Sequence, residues 1–461
     1  MSSRRPKAGP HSASSLRVLL TNNTLDYRAG SELYIYDVAV ELQKRGHQPI
    51  AFSTILGPVA ERLRAATIPV VDDLTRISIP PDIIHGQHHF ETLLAVLSFP
   101  QTPAINFCHG WTPMEEQPLI FPRIMRYIAV DHTCRDRLQL EHGITAERIS
   151  VILNFVDTER FRPRAPLPSV PKRALAFGNY FGADVMLPIL QAACEKAGLQ
   201  LEVAGIGSNQ EWPEPEARLG QYDIVFAKAR AALEAMAVGA AVVLCGPRGL
   251  GSLVTPAEWE SLRLLNFGVR AHNQPVTIEN VLAQLRRYNP SASAAVSARV
   301  RAEATLPQAV DQLLCIYRDA VREFSVSPDS ASGEIAAARY LWERAAILKG
   351  RMANVETRAA QAEMRAVAET RAAQAEMRAC AAEMRASQAG KRVGEAEEHA
   401  ASLAQQLAVM RDSMTWRFAH VASRSLPVRL AHPLLRKVAG WIRNRSRNQS
   451  QSITPQDHVG K

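Results

Sequence analysis

Two cations and one carboxylate lie close together in residues 222–247 of this 461-residue chain. Lys228 and Arg230 fall in the first turn of a predicted helix, directly after a predicted strand, and Glu234 follows on the same helix. Cations at a helix start oppose the macrodipole, so this placement is unfavourable unless an anion binds there. A diphosphate would pair with both cations and with the free N–H groups of the helix. Glu234 could then accept hydrogen bonds from ribose hydroxyls; a solvated helix start with a surface acid is the alternative.

A loop of small residues follows the first predicted strand, residues 16–22. Gly30 and Ser31 stand in this loop and open the next predicted helix. Backbone N–H groups at such a helix start can bind a phosphate, which makes both residues candidates for donor binding. A glycine that only permits a tight turn between strand and helix explains the pattern equally well.

Histidines follow two other predicted strands. His109 comes directly after residues 104–108, and ligands of an open parallel sheet bind beyond the carboxyl ends of its strands. His109 is therefore a candidate catalytic residue, with a bond to local backbone as the alternative. His85, His88 and His89 follow an earlier strand, but no carboxylate or cysteine beside them has metal-ligand spacing. We expect no metal site.

Strands and helices alternate along most of the chain. Residues 16–153 form one such series and residues 173–325 form a second. Between them, the polar and proline-rich residues 154–172 indicate an interdomain linker. Alternation of this kind is typical of parallel sheets covered by helices on both faces. The predicted fold class is α/β, with two Rossmann-like domains followed by a long α-helical, coiled-coil tail.

Both ends of the chain lack this alternation. Residues 1–15 predict a disordered leader, because no apolar segment follows their basic residues. Residues 334–414 are rich in helix formers, and the sequence TRAAQAEMRA occurs twice within them. Leucine and methionine near the end of this stretch follow heptad spacing. We expect a coiled coil, associating with itself or with a partner and interrupted at Gly390 and Gly394.

Positive charge is concentrated in residues 416–461. This segment has nine Lys or Arg residues and one Asp, whereas the whole chain has a net charge of +9. Apolar residues, Trp441 among them, share its predicted helix with Arg436 and Lys437. Such a basic amphipathic tail favours an anionic membrane surface; a helix packed on its own chain or on a partner is the alternative. The rest of the chain is close to neutral and has no nucleic-acid motif, so we expect no nucleic-acid partner.

Four segments resemble the family-4 retaining glycosyltransferases, which have the GT-B fold. AGSELYIYDVAVELQKRGHQPIAFS resembles the family's N-terminal Gly-Gly-x-Glu loop and helix, and NFCHGW resembles its strand ending in His-Gly. The strongest resemblance begins YIAVDHTCRDR and ends NFVDTERFRP, and LEAMAVGAAVV resembles the family's Glu-Ala helix. The resemblance as a whole covers roughly residues 16–325.

The resemblance implies a nucleotide-diphosphate sugar bound between the two domains and an acceptor held mainly by the N-terminal one. Transfer would be retaining and metal-independent, without a cofactor, and would rely on electrostatic stabilisation of the departing diphosphate. By position, Gly30 and Ser31 approach the donor phosphate or the acceptor. His109 approaches the sugar, and Glu234 contacts the ribose.

The sequence departs from the family pattern at the other glutamate of the Glu-x7-Glu motif. That glutamate would stand eight residues before Glu234, where this chain has Phe226. The cations that the family has after the first strand of its second domain are also missing, and the stretch reads FGNYFGADVM. We therefore expect Lys228 and Arg230 to replace them.

These observations predict a transferase that adds sugar to a surface glycan such as lipopolysaccharide or O-antigen, with a glycan or lipid-linked acceptor. DSMTWRFAHVASR resembles a segment that follows coiled coils in bacterial surface-polysaccharide transferases. Isolated cysteines favour a reducing compartment, so we expect a cytoplasmic protein at the inner face of the membrane. The alternative is a non-catalytic GT-B scaffold of a glycan-assembly complex.

Overall fold

The computed structural model describes residues 15–112, 114–182, 186–326 and 331–412. The chain divides into a first unit, Met1–Ala346, and a second unit, Ile347–Lys461. The leader expected at residues 1–15, apart from its last residue, and the basic tail expected at residues 416–461 lie outside the described residues.

The first half of unit one is built on a parallel sheet of seven strands in the order β3-β2-β1-β4-β5-β6-β7. Apolar runs form its central strands because helices cover both faces of the sheet. The order reverses beside β1, and in such sheets the ligand crevice opens where the order reverses. The strands are β1 (Arg17–Thr21), β2 (Gln48–Phe52), β3 (Val70–Val71), β4 (Ile83–Gly86), β5 (Ala104–Cys108), β6 (Ile124–Ala129) and β7 (Ile149–Val151), and the helices are α1 (Gly30–Lys44), α2 (Pro58–Ala65), α3 (His89–Ser98) and α4 (His132–Asp136).

The second half of unit one has a five-stranded sheet in the order β12-β11-β10-β8-β9. All its neighbours are parallel except β12, which pairs antiparallel with β11. The strands are β8 (Arg173–Phe177), β9 (Gln200–Ala204), β10 (Ile224–Ala227), β11 (Ala241–Gly246) and β12 (Gly249–Leu253), and the helices are α5 (Met186–Lys196), α6 (Ala229–Val238), α7 (Trp259–Leu264), α8 (Ile278–Leu285), α9 (Pro290–Glu303) and α10 (Leu306–Val326). The predicted α/β class with two Rossmann-like lobes is confirmed.

Helix α10 follows the second sheet in the chain but packs against the first lobe. Buried side chains of α10, among them Val310, Leu313 and Tyr317, join the apolar core of the seven-stranded sheet. The linker also packs, because Phe155 joins this first core whereas Phe161 joins a core of the second lobe. The expected second domain, residues 173–325, therefore ends in a helix that packs in the core of the first lobe.

A single helix, α11 (Ala331–Asp412), forms the described part of the tail. Its first turns belong to unit one, where Ala337 and Tyr340 pack in the first core. In unit two, nearly all described side chains are exposed. The expected interruption at Gly390 and Gly394 is wrong, because the helix runs through both. None of the described helices has the length and apolar character needed to cross a membrane.

Candidate functional site

A cavity of about 330 Å³ lies between the two lobes of unit one. The first lobe contributes Arg28 and Gly30, and the second contributes Lys228, Arg230 and Glu234. Four of the five predicted donor-binding residues therefore line one cavity. The carboxyl edges of β1 and β10 lead into it, as expected for open parallel sheets.

Two helix N-termini open onto this cavity. Ala29 precedes α1 and Lys228 precedes α6, and neither helix start has a side-chain cap. Ala229, the first residue of α6, has a φ of +48°, a left-handed conformation that is costly for a residue with a Cβ. This strained turn lets the chain pass directly from β10 into α6. Both helices thus present uncapped N–H groups and the positive ends of their dipoles to the same space.

Arg230 is already paired. Its Nε donates to Oε1 of Glu234 at 2.8 Å, and its Nη2 donates to Oδ2 of Asp37, on α1 of the opposite lobe. Burial lowers the pKa of Arg230, but the two carboxylates outweigh burial and raise it above its ordinary value. Arg160 of the linker lies 3.1 Å from the other oxygen of Asp37. Arg230 is therefore neutralised by carboxylates of the protein itself, those of Asp37 and Glu234, and needs no bound anion.

Glu234 is buried, which contradicts the alternative of an acid on the protein surface. Its side chain is 6% exposed, so it is not a surface acid. Burial raises the pKa of Glu234, and Arg230 opposes that rise. Glu234 reaches the cavity wall while its carboxylate bonds to Arg230.

Lys228 and Arg28 are the cations that remain open to the cavity. Neither forms an ion pair with a carboxylate of the described residues. The ammonium of Lys228 lies 5.0 Å from the ring centroid of Tyr180, and burial lowers its pKa. Burial, and then the neighbouring Arg62, lower the pKa of Arg28, which donates to the carbonyl of Pro213 across the cleft. Two partly desolvated cations therefore face one space without forming an ion pair there, although Glu211 also lines the cavity.

Gly30 has room around it. A Cβ at this position would meet nothing within 4 Å, and its φ is not in the left-handed region. A tight turn therefore does not explain this glycine, contrary to the alternative drawn from sequence. Ser31 donates from Oγ to Oε2 of the adjacent Glu32 at 2.9 Å. It lines a second, smaller cavity beside the first rather than the first itself.

His109 lies on this second cavity, of about 270 Å³, which also reaches Tyr34 and Ala229. Its Nε2 is buried and has no hydrogen-bond partner among the described residues. Within the described residues, Nε2 therefore does not form the bond to local backbone that was the alternative explanation for His109. Burial lowers the pKa of His109 to about 4, so the imidazole is neutral at pH 7.

Glu116 connects His109 to the histidines after β4. It accepts from the backbone N–H of His109 at 2.8 Å and lies 3.5 Å from Nε2 of His88. Burial lowers the pKa of His88, but Glu116 outweighs it and raises that pKa. His85 and His89 instead bond through Nδ1 to tyrosines of α10 and α11, at 2.5 and 2.6 Å. No group of residues within the described ranges has the make-up of a metal site.

Acid should destabilise unit one through its buried neutral histidines. Burial lowers the pKa of His109 and His89 to about 4, whereas an unfolded histidine titrates near 6.5. The unfolded state therefore binds more protons between these values, and stability falls as pH drops from 6.5 towards 4. We expect His109→Gln to reduce that slope by about 1.4 kcal/mol per pH unit. Urea unfolding at several pH values measures it, with the exposed His399→Gln as control; equal slopes for both variants would contradict the prediction.

Sequence reasoning missed several residues of the cleft. Arg28 stands two residues before the predicted glycine and lines the cavity with it. Asp37 lies on the buried face of α1. An acid on the apolar face of a helix is unusual, and the apolar periodicity of α1 could have identified it. Trp212 and Phe177 form one aromatic wall, with ring centroids 6.4 Å apart. Arg28, Trp212 and Phe177 come from loops and a strand end that carry no local motif.

The chain is similar to known proteins in part of its sequence and in its structure. Residues 28–160 match the family described as Glycosyltransferase Family 4. A glycosyltransferase from Rickettsia africae has 15% sequence identity and a TM-score of 0.50, over 67% of this chain and 99% of that one. Anabaena HepE, solved with UDP and glucose, has 12% identity and a TM-score of 0.47, over 66% and 100%. Acinetobacter baumannii MurG has 15% identity and a TM-score of 0.39, over 66% and 99%.

No curated protein matches the sequence of this chain. The two facing Rossmann-like lobes, the cleft between them and the structural likeness to the Rickettsia enzyme show the fold. The chain has the GT-B glycosyltransferase fold, and its residues 28–160 match Glycosyltransferase Family 4.

Proposed function

We propose that this protein is a glycosyltransferase that takes a sugar from a nucleotide-diphosphate donor held in the interlobe cleft. The observation that carries the proposal is the convergence of α1, α6, Arg28 and Lys228 on one cavity. Two phosphates would meet two helix N-termini and two cations that form no ion pair within the described residues.

The remaining walls suit the nucleoside. Trp212 and Phe177 offer an apolar face against which a base can stack. Glu234 offers a buried carboxylate to ribose hydroxyls, although it would share that role with its bond to Arg230. The donor would thus lie mainly on the second lobe, with its diphosphate at the boundary.

The sugar would point towards the cavity of Ser31 and His109, next to the first turn of α6. A neutral imidazole there can donate or accept a hydrogen bond without adding charge. Negative charge on the departing diphosphate would be stabilised by Lys228, Arg28 and the helix ends. This supply of positive charge supports the proposal of a metal-independent, cofactor-free reaction, and the resemblance to family 4 supports retention.

We propose a surface glycan of the lipopolysaccharide or O-antigen kind, or its lipid-linked precursor, as the acceptor. Support comes from the resemblance of residues 412–424 to surface-polysaccharide transferases and from the basic composition of residues 416–461. The tail would hold the enzyme at the inner face of the cytoplasmic membrane. The repeats of α11 support self- or partner association.

One observation favours a second candidate, a non-catalytic GT-B scaffold. Phe226, at the position of the missing glutamate, is fully buried in β10 and offers no polar group to the cleft. The cleft therefore lacks a carboxylate from this position. A scaffold would need neither a donor nor turnover.

Titration calorimetry with UDP, GDP and their sugars separates the two candidates. We expect the full chain to bind one nucleoside diphosphate with micromolar affinity, typical of a substrate site. Failure to bind any of them would leave the scaffold as the better account. The anomeric configuration of the product, followed by NMR, tests retention separately.

Gly30→Ala should weaken donor binding without destabilising the fold. The added methyl group would meet no protein atom within 4 Å, but it would lie where the diphosphate approaches α1. We expect roughly tenfold weaker binding, equivalent to about 1.4 kcal/mol, in the same calorimetric assay. Gly350→Ala, in the exposed part of α11, is the matched control. Unchanged affinity in Gly30→Ala would place the diphosphate elsewhere.

A further inference from the structure

A third cavity, of about 580 Å³, lies on the first lobe outside the donor cleft. Its walls are the segment 118–122, His142, Arg148 and the first turns of α11 from Ser332 to Arg344. All of these residues belong to unit one. None of them lines the donor cavity, so this cavity needs an explanation of its own.

One side of the cavity carries unmatched positive charge. Arg344 stacks on the ring of Tyr340 at 5.2 Å, and its Nε and Nη1 are buried without a hydrogen-bond partner in the described residues. Nε2 of His142 is also buried and without a partner there. Glu343, the acid in the lining, is engaged by Arg339 at 3.0 Å. Buried donors without acceptors are costly, and an anion in the cavity would remove that cost.

The other side of the cavity is apolar and open. Ile120 is 58% exposed and Ile335 is 73% exposed, although both line the cavity. Trp342, which follows Ile335 by seven residues and so lies on the same helix face, is 74% exposed. Apolar side chains beside unpaired cations match a ligand that has an anionic head and a hydrocarbon chain.

The chain's own basic tail is a poor occupant. Residues 416–461 have nine Lys or Arg residues and one Asp, so they would be repelled by Arg344 and Arg148. The charge of the cavity requires an acidic partner instead. Arginine forms short, charge-assisted hydrogen bonds with phosphate.

We propose that this cavity binds a phosphate-bearing lipid, with the phosphate on Arg344 and His142 and the chain against Ile120 and Ile335. The site is independent of the donor cleft and of the proposed transferase activity. It would hold the first lobe against an acidic membrane at the point where α11 begins. Membrane contact would then involve the folded unit in addition to the basic tail.

Calorimetry on the full chain with dihexanoyl phosphatidate, kept below its micelle concentration, tests the proposal. A monomeric lipid isolates a pocket from the general attraction of a basic tail to a charged surface. We expect one saturable site, and at least about tenfold weaker binding in Arg344→Gln, because a charge-assisted hydrogen bond is lost. Ile120→Glu should give a similar loss by placing a negative charge in the cavity.

The matched control is Arg351→Gln, an exposed arginine of α11 beyond the cavity, which should bind as the unaltered chain does. Thermal unfolding of each variant shows whether it remains folded. Unchanged binding in both Arg344→Gln and Ile120→Glu would overturn the proposal. So would inorganic phosphate or dihexanoylglycerol binding as tightly as the phosphatidate, or the absence of saturable binding.

Discussion

Asp37→Asn is expected to lower the free energy of unfolding by about 3–5 kcal/mol, because two buried guanidinium groups lose the carboxylate they share. Asp37 is 2% exposed and lies between Arg160, at 3.1 Å, and Arg230. An amide can accept a hydrogen bond but cannot compensate the two positive charges. Urea unfolding of the full chain at pH 7 measures the loss.

Asp37 also connects the two lobes. Asp37 belongs to α1 of the first lobe, whereas Arg230 belongs to α6 of the second and Arg160 to the linker. The cluster therefore holds the lobes in register at the cleft. Asp37→Asn should weaken donor binding as well as stability, since Arg230 also orients Glu234.

A surface pair provides the control. Asp82 lies 3.5 Å from Arg17, and both side chains are about one-third exposed. Asp82→Asn should cost less than about 1 kcal/mol, because water screens such a pair. If Asp37→Asn costs no more than Asp82→Asn, the cluster does not have the structural role assigned to it. In the double variant Asp37→Asn/Arg160→Met, part of the loss should be recovered, because one of the two cations that share Asp37 is gone while Arg230 keeps its bond to Glu234.

The sequence predicts the layered architecture well because its signals are local. Buried parallel strands appear as short apolar runs, and each lies next to a helix with apolar periodicity. The missed strand β12, with the sequence GLGSL, has two glycines that hide it from this reasoning. Gly390 and Gly394 were expected to interrupt α11, but each glycine costs only about 1 kcal/mol in a helix of strong helix formers.

Contacts between distant segments were beyond the reach of sequence patterns. Lys228 and Arg230 were correctly placed at a helix start, since that depends on neighbouring residues alone. The partner of Arg230 is 193 residues away on the other lobe. In the same way, α10 follows the second sheet in the chain but packs in the first core. Only the assembled fold shows that Arg230 is neutralised by the protein, whereas Lys228 forms no ion pair within the described residues.

This distinction singles out Lys228. Replacing Lys228 with Met is expected to weaken nucleoside-diphosphate binding by about 10- to 100-fold, the value of one strong charge-assisted hydrogen bond. Its ammonium lies 5.0 Å from the ring centroid of Tyr180 and forms no ion pair with a carboxylate of the described residues. Burial lowers its pKa, so the charge is carried at a cost that a bound diphosphate would offset.

The stability of the Lys228→Met variant should change in the direction opposite to that expected for a structural cation. A methionine of similar length removes a desolvated charge and keeps the apolar contact, so stability should be unchanged or higher. Lys196→Met, at an exposed position on α5, should alter neither property. Calorimetry with the nucleotide that the full chain binds, together with urea unfolding, measures both quantities. Loss of stability without loss of affinity would make Lys228 a structural cation and would leave the diphosphate without its principal partner.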